Sequence, residues 1–208
     1  MLDADDDARR IIRKHWLNRD RSSTENRLFN NYFFDDPAFP GDYFRKCYRM
    51  SKSLFLRIAY AITDYSAEPL PSYFKSFEQR YDCTHRLGFD IYQKCTSAIL
   101  QLTYRIAPDA FDEYLYMGRQ TSSDCLENYC KCIVYLFSAK YLRKPTEDDV
   151  HRLHAKHYEI HGFQRMLGSL DCMHCAWKNF SVVWQGNYTS GDHEGPTIML
   201  EVVATYDM

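Results

Sequence analysis

The stretch Gly168-Ser-Leu-Asp-Cys-Met-His-Cys-Ala-Trp-Lys-Asn179 decides how the chain is read. It sets one carboxylate, Asp171, at the end of a short apolar run and supplies no acidic partner nearby. A second apolar run, Thr197-Ile-Met-Leu-Glu-Val-Val-Ala-Thr-Tyr206, follows shortly before the last residue, Met208. Short apolar runs set among Gly, Ser and Trp have the texture of strands and loops. A lone Asp on the first of two strands reads either as an ordinary strand-end or turn residue or as the opening of a catalytic sheet.

N-terminal to this stretch the periodicity is helical. Ser22-Ser-Thr-Glu25 has the form of a capping box ahead of residues 27–34. Pro37, Pro40 and Gly41 break the chain before an amphipathic piece at 42–48. Ser51 or Ser53 is placed to cap a helix at 54–63, with Leu54, Ile58 and Ala61 or Ile62 on one face. Residues 64–90, with Pro69 and Pro71, read as a loop with a short helical piece.

From residue 92 to 104 Cys95, Ile99 and Leu102 recur at helical spacing. Residues 110–117 are predicted to form a short helix ended by Gly118, and Thr121-Ser-Ser-Asp124 to cap a longer one at 122–139. Its inward residues would be Cys125, Tyr129, Cys132, Ile133 and Phe137. Helix, turn, short helix, turn and longer helix over 92–139 have the outline of a helix-turn-helix unit, an outline that plain helical bundles share. On the exposed face of the last helix, Asn128 and Lys131 are the candidate DNA contacts, beside Asp124 and Glu127. Pro145-Thr-Glu-Asp-Asp149 is predicted to cap a helix at 150–160, stopped near Gly162. The fold class is therefore mainly α. Residues 1–27 form an acidic then basic arm, 28–162 a helical domain, and 163–208 the strand-bearing part.

A length of 208 residues with 17 Tyr, 13 Phe and 26% charged residues describes a globular chain with enough apolar mass for a core. The net charge of −2 carries no global nucleic-acid signature, but it is unevenly spread. Residues 1–166 hold 25 of the 26 Lys and Arg against 23 of the 28 Asp and Glu, a balance of +2. Residues 167–208 hold only Lys178 against five acids, a balance of −4, which suits divalent cations better than phosphates. Arg9, Arg10, Arg13 and Lys14 open a basic run reaching Arg27, readable as a phosphate-contacting arm, a nuclear-import signal or a solvated helix start. No apolar run approaches the ~20 residues of a membrane span. Eight Cys behind an acidic N-terminus without a signal-peptide core read as free thiols in a reducing compartment.

An ordered series of pieces carries a family resemblance: NRLFNNYFFDDPAFPGDYFRKCYRMSKSLFLRI, RLGFDIYQKCTSAILQLTY, FDEYLYMG, YLRKPT, HGFQRMLGSLDCMHCAWKN, GNYTSG and PTIMLEVVATYD. Together, from Asn26 to Asp207, they resemble the PIF/Harbinger class of DDE transposases and the nucleases derived from them, in their plant-type form. The resemblance implies a helical N-terminal region followed by an RNase H-like α/β catalytic domain, of which this chain carries the first two strands. Asp171 then matches the first metal-binding carboxylate and His174 a neighbouring site residue, while the other two acidic residues of the triad would lie beyond Met208. Asp207 matches a turn residue, and Cys175 stands where plant-type relatives often carry Trp. Mg²⁺ or Mn²⁺ as cofactor, DNA and a Myb-like DNA-binding protein as partners, and a nuclear location are all implied in the same way.

Phosphodiester cleavage of this type uses two metal ions about 3.5–4 Å apart, held by converging carboxylates. Asp171 alone would bind too weakly for turnover, and the facing of Glu201 on the second run is open. The expected result is a chain inactive by itself: an enzyme remnant, a non-catalytic DNA- or protein-binding remnant, or a decayed fragment. Two rival metal readings are weaker. Cys172 and Cys175 have C-x-x-C spacing, but strand alternation would point them apart. His151, His154, His157 and His161 follow helical steps and read first as a solvated face. Exposed apolar strands also invite self-association.

If the arm displaces counterions from a duplex, changing Arg9, Arg10, Arg13 and Lys14 to Ala should weaken binding and flatten its salt slope for any DNA sequence. Changing Asn128 and Lys131 should matter less. Fluorescence anisotropy across a salt series distinguishes them; sequence-selective binding lost only with Asn128 and Lys131 would reverse the order.

Overall fold

The computed structural model describes residues 20–176, 182–189, 191–192 and 194–204. In chain order these form α1 (Arg21–Leu28, continued by a π turn at Phe29–Phe33), α2 (Gly41–Tyr48), α3 (Lys52–Thr63) and the short α4 (Ser72–Lys75). Then come α5 (Ile91–Tyr104), a 3₁₀ turn (Pro108–Phe111), α6 (Arg119–Tyr141) and α7 (Glu147–His161). The strand β1 (Ser169–Ala176) and β2 (Thr197–Ala204) follow, with α8 (Val182–Gln185) and a 3₁₀ turn (Gly186–Tyr188) between them. The chain divides into two compact units, one ending at Leu142 and one starting at Arg143. That division falls before α7, whereas the change from helical to strand-like sequence comes after it.

In the first unit, α5 is buried without interruption from Gln93 to Gln101. A helix enclosed on every side must find internal partners for its polar side chains. Gln93 closes a capping box with Asp90 and also donates to the Arg21 carbonyl at 3.2 Å. The Lys94 ammonium donates to the carbonyls of Ser76 and Glu78, at 2.9 and 3.0 Å, just past the end of α4. Thr96 pairs with the Tyr48 hydroxyl at 3.2 Å, tying in α2. Ser97 meets Ser122 of α6 at 2.7 Å, and the Gln101 amide donates to the Ser122 carbonyl at 2.9 Å. Around this polar spine lie stacked and edge-on aromatic rings, with Phe44 on Tyr48 at 4.1 Å and Phe55 edge-on to both. Such pairs add roughly 0.5–1.5 kcal/mol each beyond their burial.

Several local expectations are corrected. The first helix starts at Arg21, because the Asp20 carboxylate accepts from the Ser23 amide; Ser22 is not the cap. The basic run is thus helical and packed from residue 20 on, with Thr24 and Leu28 buried. Ser51 does cap α3, accepting from the Leu54 amide, but the buried stripe is Phe55, Ala59 and Ile62. Leu54 and Ile58 stand beside it, half-buried. On α5, Cys95 and Ile99 are inward as expected, while Leu102 is largely exposed.

The short helix expected at 110–117 is a 3₁₀ turn begun by Pro108, and the left-handed backbone of Tyr116, at φ 49°, prevents a longer helix there. Gly118 is the N-cap of α6, which therefore starts before Thr121. Of its predicted inward residues, Cys125, Tyr129 and Cys132 are buried. The loop before α5 is pinned by Asp82, whose carboxylate accepts from Thr84 and Arg86 and pairs with Arg21 at 3.1 Å. Gly88 is needed here, since a Cβ would lie 2.7 Å from the Arg80 carbonyl oxygen.

In the second unit α7 opens with a Thr146–Asp149 capping box and closes on Gly162 at φ 70°, both as the sequence implies. The helix also carries the Arg143–Asp149 and Arg152–Asp149 ion pairs. The strands β1 and β2 pair antiparallel over their full lengths, from Ser169 opposite Ala204 to Ala176 opposite Thr197.

Asp90 gives a pH test. Burial, with Glu25 nearby, pushes its carboxyl up to about 6 despite the capping bond from Gln93. The folded state therefore holds a proton that the unfolded chain, with a carboxyl near 4, has released. Stability should fall as pH rises from about 4 to 6, and the cost then persists at neutral pH. Asn is also a good cap, so Asp90→Asn should flatten that window and raise stability at pH 7 by up to about 3 kcal/mol. Urea denaturation from pH 4 to 7 checks this, and an unchanged slope in Asp90→Asn would refute it.

Candidate functional site

The ribbon of β1 and β2 presents the residues that the sequence singled out. Directly opposite residues of an antiparallel pair share a face, and successive residues alternate. Asp171, opposite Val202, therefore shares its face with Met173, Leu200, Cys175 and Ile198. It is exposed to solvent. His174 lies on the other face, its Nδ1 3.2 Å from the Thr197 hydroxyl. Glu201 is opposite Cys172 and also on that second face. The ribbon thus separates Asp171 from both His174 and Glu201, and Asp171 shares its face with no other carboxylate of β1 or β2.

Among the described residues, no group of three or more His, Cys, Asp and Glu side chains comes together as a metal site. Cys172 and Cys175 fall on opposite faces, one exposed and one half-buried. On α7, His157 is buried, with its ring centroid 6.1 Å from that of His161, whereas His151 and His161 are exposed.

The candidate DNA contacts divide in a different way. Arg9, Arg10, Arg13 and Lys14 lie outside the described residues. Two later cations of the same run serve the fold. Arg21 lies over the Phe89 ring as well as pairing with Asp82, and Arg27 lies over Tyr114 and donates to its carbonyl. On α6, Lys131 is paired with Glu127 at 2.6 Å, which holds the Glu127 carboxyl below its ordinary value. Asn128 donates to the Asp124 carbonyl of its own helix at 2.8 Å. Both side chains are engaged on their own helix.

The sequence reading passed over a better-placed cluster: Arg45, Lys46 and Arg49, all exposed at the C-terminal end of α2. The signal was three cations within five residues, Arg45 and Lys46 in the last turn of an amphipathic helix that buries Phe44 and Tyr48, and Arg49 as its C-cap. Among the described residues no helix is long and apolar enough to cross a membrane.

Comparison with known proteins bears on this ribbon directly. Residues 139–208 match the family model described as plant transposon protein. This supports a transposase-related family for the part of the chain that carries Asp171. Residues 25–63, covering α1 to α3, match a domain of unknown function. Neither a curated protein nor a solved structure matches the chain.

The thiols offer a check on the ribbon. Cys83 and Cys172 are exposed, whereas Cys95, Cys125 and Cys132 are buried, and burial raises the last three above the ordinary thiol range. A maleimide under native conditions should therefore label Cys83 and Cys172 first and those three only on unfolding. Time-resolved mass spectrometry reads the order. Early labelling of Cys95 or protection of Cys172 would contradict the arrangement.

Proposed function

We propose that this is a transposase-derived protein of the Harbinger type, whose ancestral reaction is metal-dependent DNA cleavage and strand transfer. The observation that carries the reading is the plant-transposon match across residues 139–208; Asp171 lies within that stretch, on an exposed strand. In this reading Asp171 stands at the position of the first metal-binding carboxylate. Bound Mg²⁺ or Mn²⁺ would supply activation of the attacking oxygen and stabilisation of the leaving one.

The described residues do not fit a two-ion site. Asp171 shares its face with Val202, Leu200 and Ile198, and Glu201 belongs to the other face. Hard cations need several oxygen ligands, so no catalytic step is assigned to this arrangement. The chain by itself is a binding protein in this proposal, acting in the nucleus on DNA and on a Myb-like DNA-binding partner. The exposed Arg45, Lys46 and Arg49 favour direct phosphate contact, since each cation laid on a phosphate releases a counterion.

Plasmid nicking with Mg²⁺ or Mn²⁺, run beside duplex-binding anisotropy, tests both halves. We expect no nicking. Binding should weaken severalfold, with a shallower salt slope, when Arg45, Lys46 and Arg49 are replaced by Ala. Metal-dependent nicking that disappears in Asp171→Ala would overturn the non-cleaving assignment. Failure to bind duplex DNA at low salt would remove DNA from its direct partners.

A further inference from the structure

Helices α3 and α6 leave between them an apolar groove of about 300 Å³, lined by Leu54, Arg57, Ile58, Ile133, Val134, Phe137 and the last turn of α6. Within the helical unit, Val134 is 57% exposed and Leu142 77% exposed, so no described residue of that unit covers the floor at that end. All of these residues belong to the helical unit. We propose that the groove is a docking site for an acidic amphipathic helix of a partner protein.

Charge selects the occupant. Arg57 is the one charged residue lining the groove, and it makes no ion pair among the described residues. α3 carries no carboxylate before its C-cap, Asp64. On α6 no acid follows Glu127, which is already held by Lys131, whereas Lys140 lies against Tyr141 near the groove's end. A basic segment, the chain's own Arg9–Lys14 run included, would meet only like charge here. A carboxylate on the flank of an apolar helix would meet Arg57.

Geometry selects the shape. Both walls are helices whose backbone groups bond within themselves, so no strand edge is available for an extended peptide. From Ile133 to Leu142 the wall runs roughly 14 Å at the helical rise, enough for apolar side chains at i, i+4 and i+7 of one docked helix. This inference does not depend on the transposase reading, because it uses only the helical unit.

The test is selection on the full chain from a display library of helix-forming peptides about fourteen residues long, enough for the roughly nine residues the wall spans and a turn beyond them. Enriched peptides should carry large apolar residues at the i, i+4, i+7 spacing with Asp or Glu on one flank. They should bind Val134→Glu at least about tenfold more weakly. Selection on Arg57→Glu should shift the flank from acidic to basic. Both positions face solvent, and circular dichroism verifies that the variants fold. Absence of enrichment, enrichment without acidic bias, or indifference to Val134→Glu would each overturn the proposal. A dimer in sedimentation that Val134→Glu dissociates would assign the face to a second copy. Stronger peptide binding after removal of residues 1–19 would assign it to the chain's own arm.

Discussion

The helical unit depends on the complete burial of α5. Once Gln93 through Gln101 are all removed from water, each polar side chain among them becomes either a tether or a defect. The structure makes tethers of them. Lys94 reaches the end of α4, Thr96 reaches α2, Gln93 reaches α1, and Ser97 with Gln101 holds α6. The order of packing around α5 is therefore specified by hydrogen bonds as well as by apolar fit. An unpaired buried amide costs roughly 1–3 kcal/mol, so an alternative arrangement of the same helices would be penalised several times over.

The same burial explains what could be read in advance. Thr146 with Asp149, Ser51 and Gly162 announce helix ends by short-range chemistry, and each behaves accordingly. Cys95 and Ile99 were legible as core, but α5 has no solvent stripe over nine residues, so periodicity could not rank its faces and misplaced Leu102. α3 is apolar on two adjoining stripes. Choosing Phe55, Ala59 and Ile62 over Leu54 and Ile58 requires knowing which side meets α5, a tertiary fact. Gly118 could end one helix or begin the next, and only the backbone of Tyr116 decides.

The ribbon was legible as two strands, and its site only in part. Alternation along β1 already separates Asp171 from His174, whereas the family resemblance set them side by side. The face of Glu201 depends on register, which the long connection from Ala176 to Thr197 conceals. In the ribbon the pairing Cys172–Glu201 settles it. The cations tell a related story. A run that looks uniformly basic in sequence splits at Asp20, where Arg21 and Arg27 turn inward onto aromatic rings and carbonyls. Other exposed cations, Arg45 and Lys46 on α2 and Arg57 on α3 among them, lie outside that run.

The ribbon shows much aliphatic surface to water. Leu170, Met173, Met199, Leu200, Val202 and Val203 are all more than two-fifths exposed, on strands whose outer backbone edges pair with nothing among the described residues. To a cell's quality-control machinery, such a surface has the hallmarks of unfinished synthesis: extended backbone, aliphatic side chains and little charge. Chaperones and degradation adaptors recognise those hallmarks, and the residence time of a protein follows from how often they are displayed. However firmly α5 knits the helical unit together, an occupant of the ribbon would hide those hallmarks.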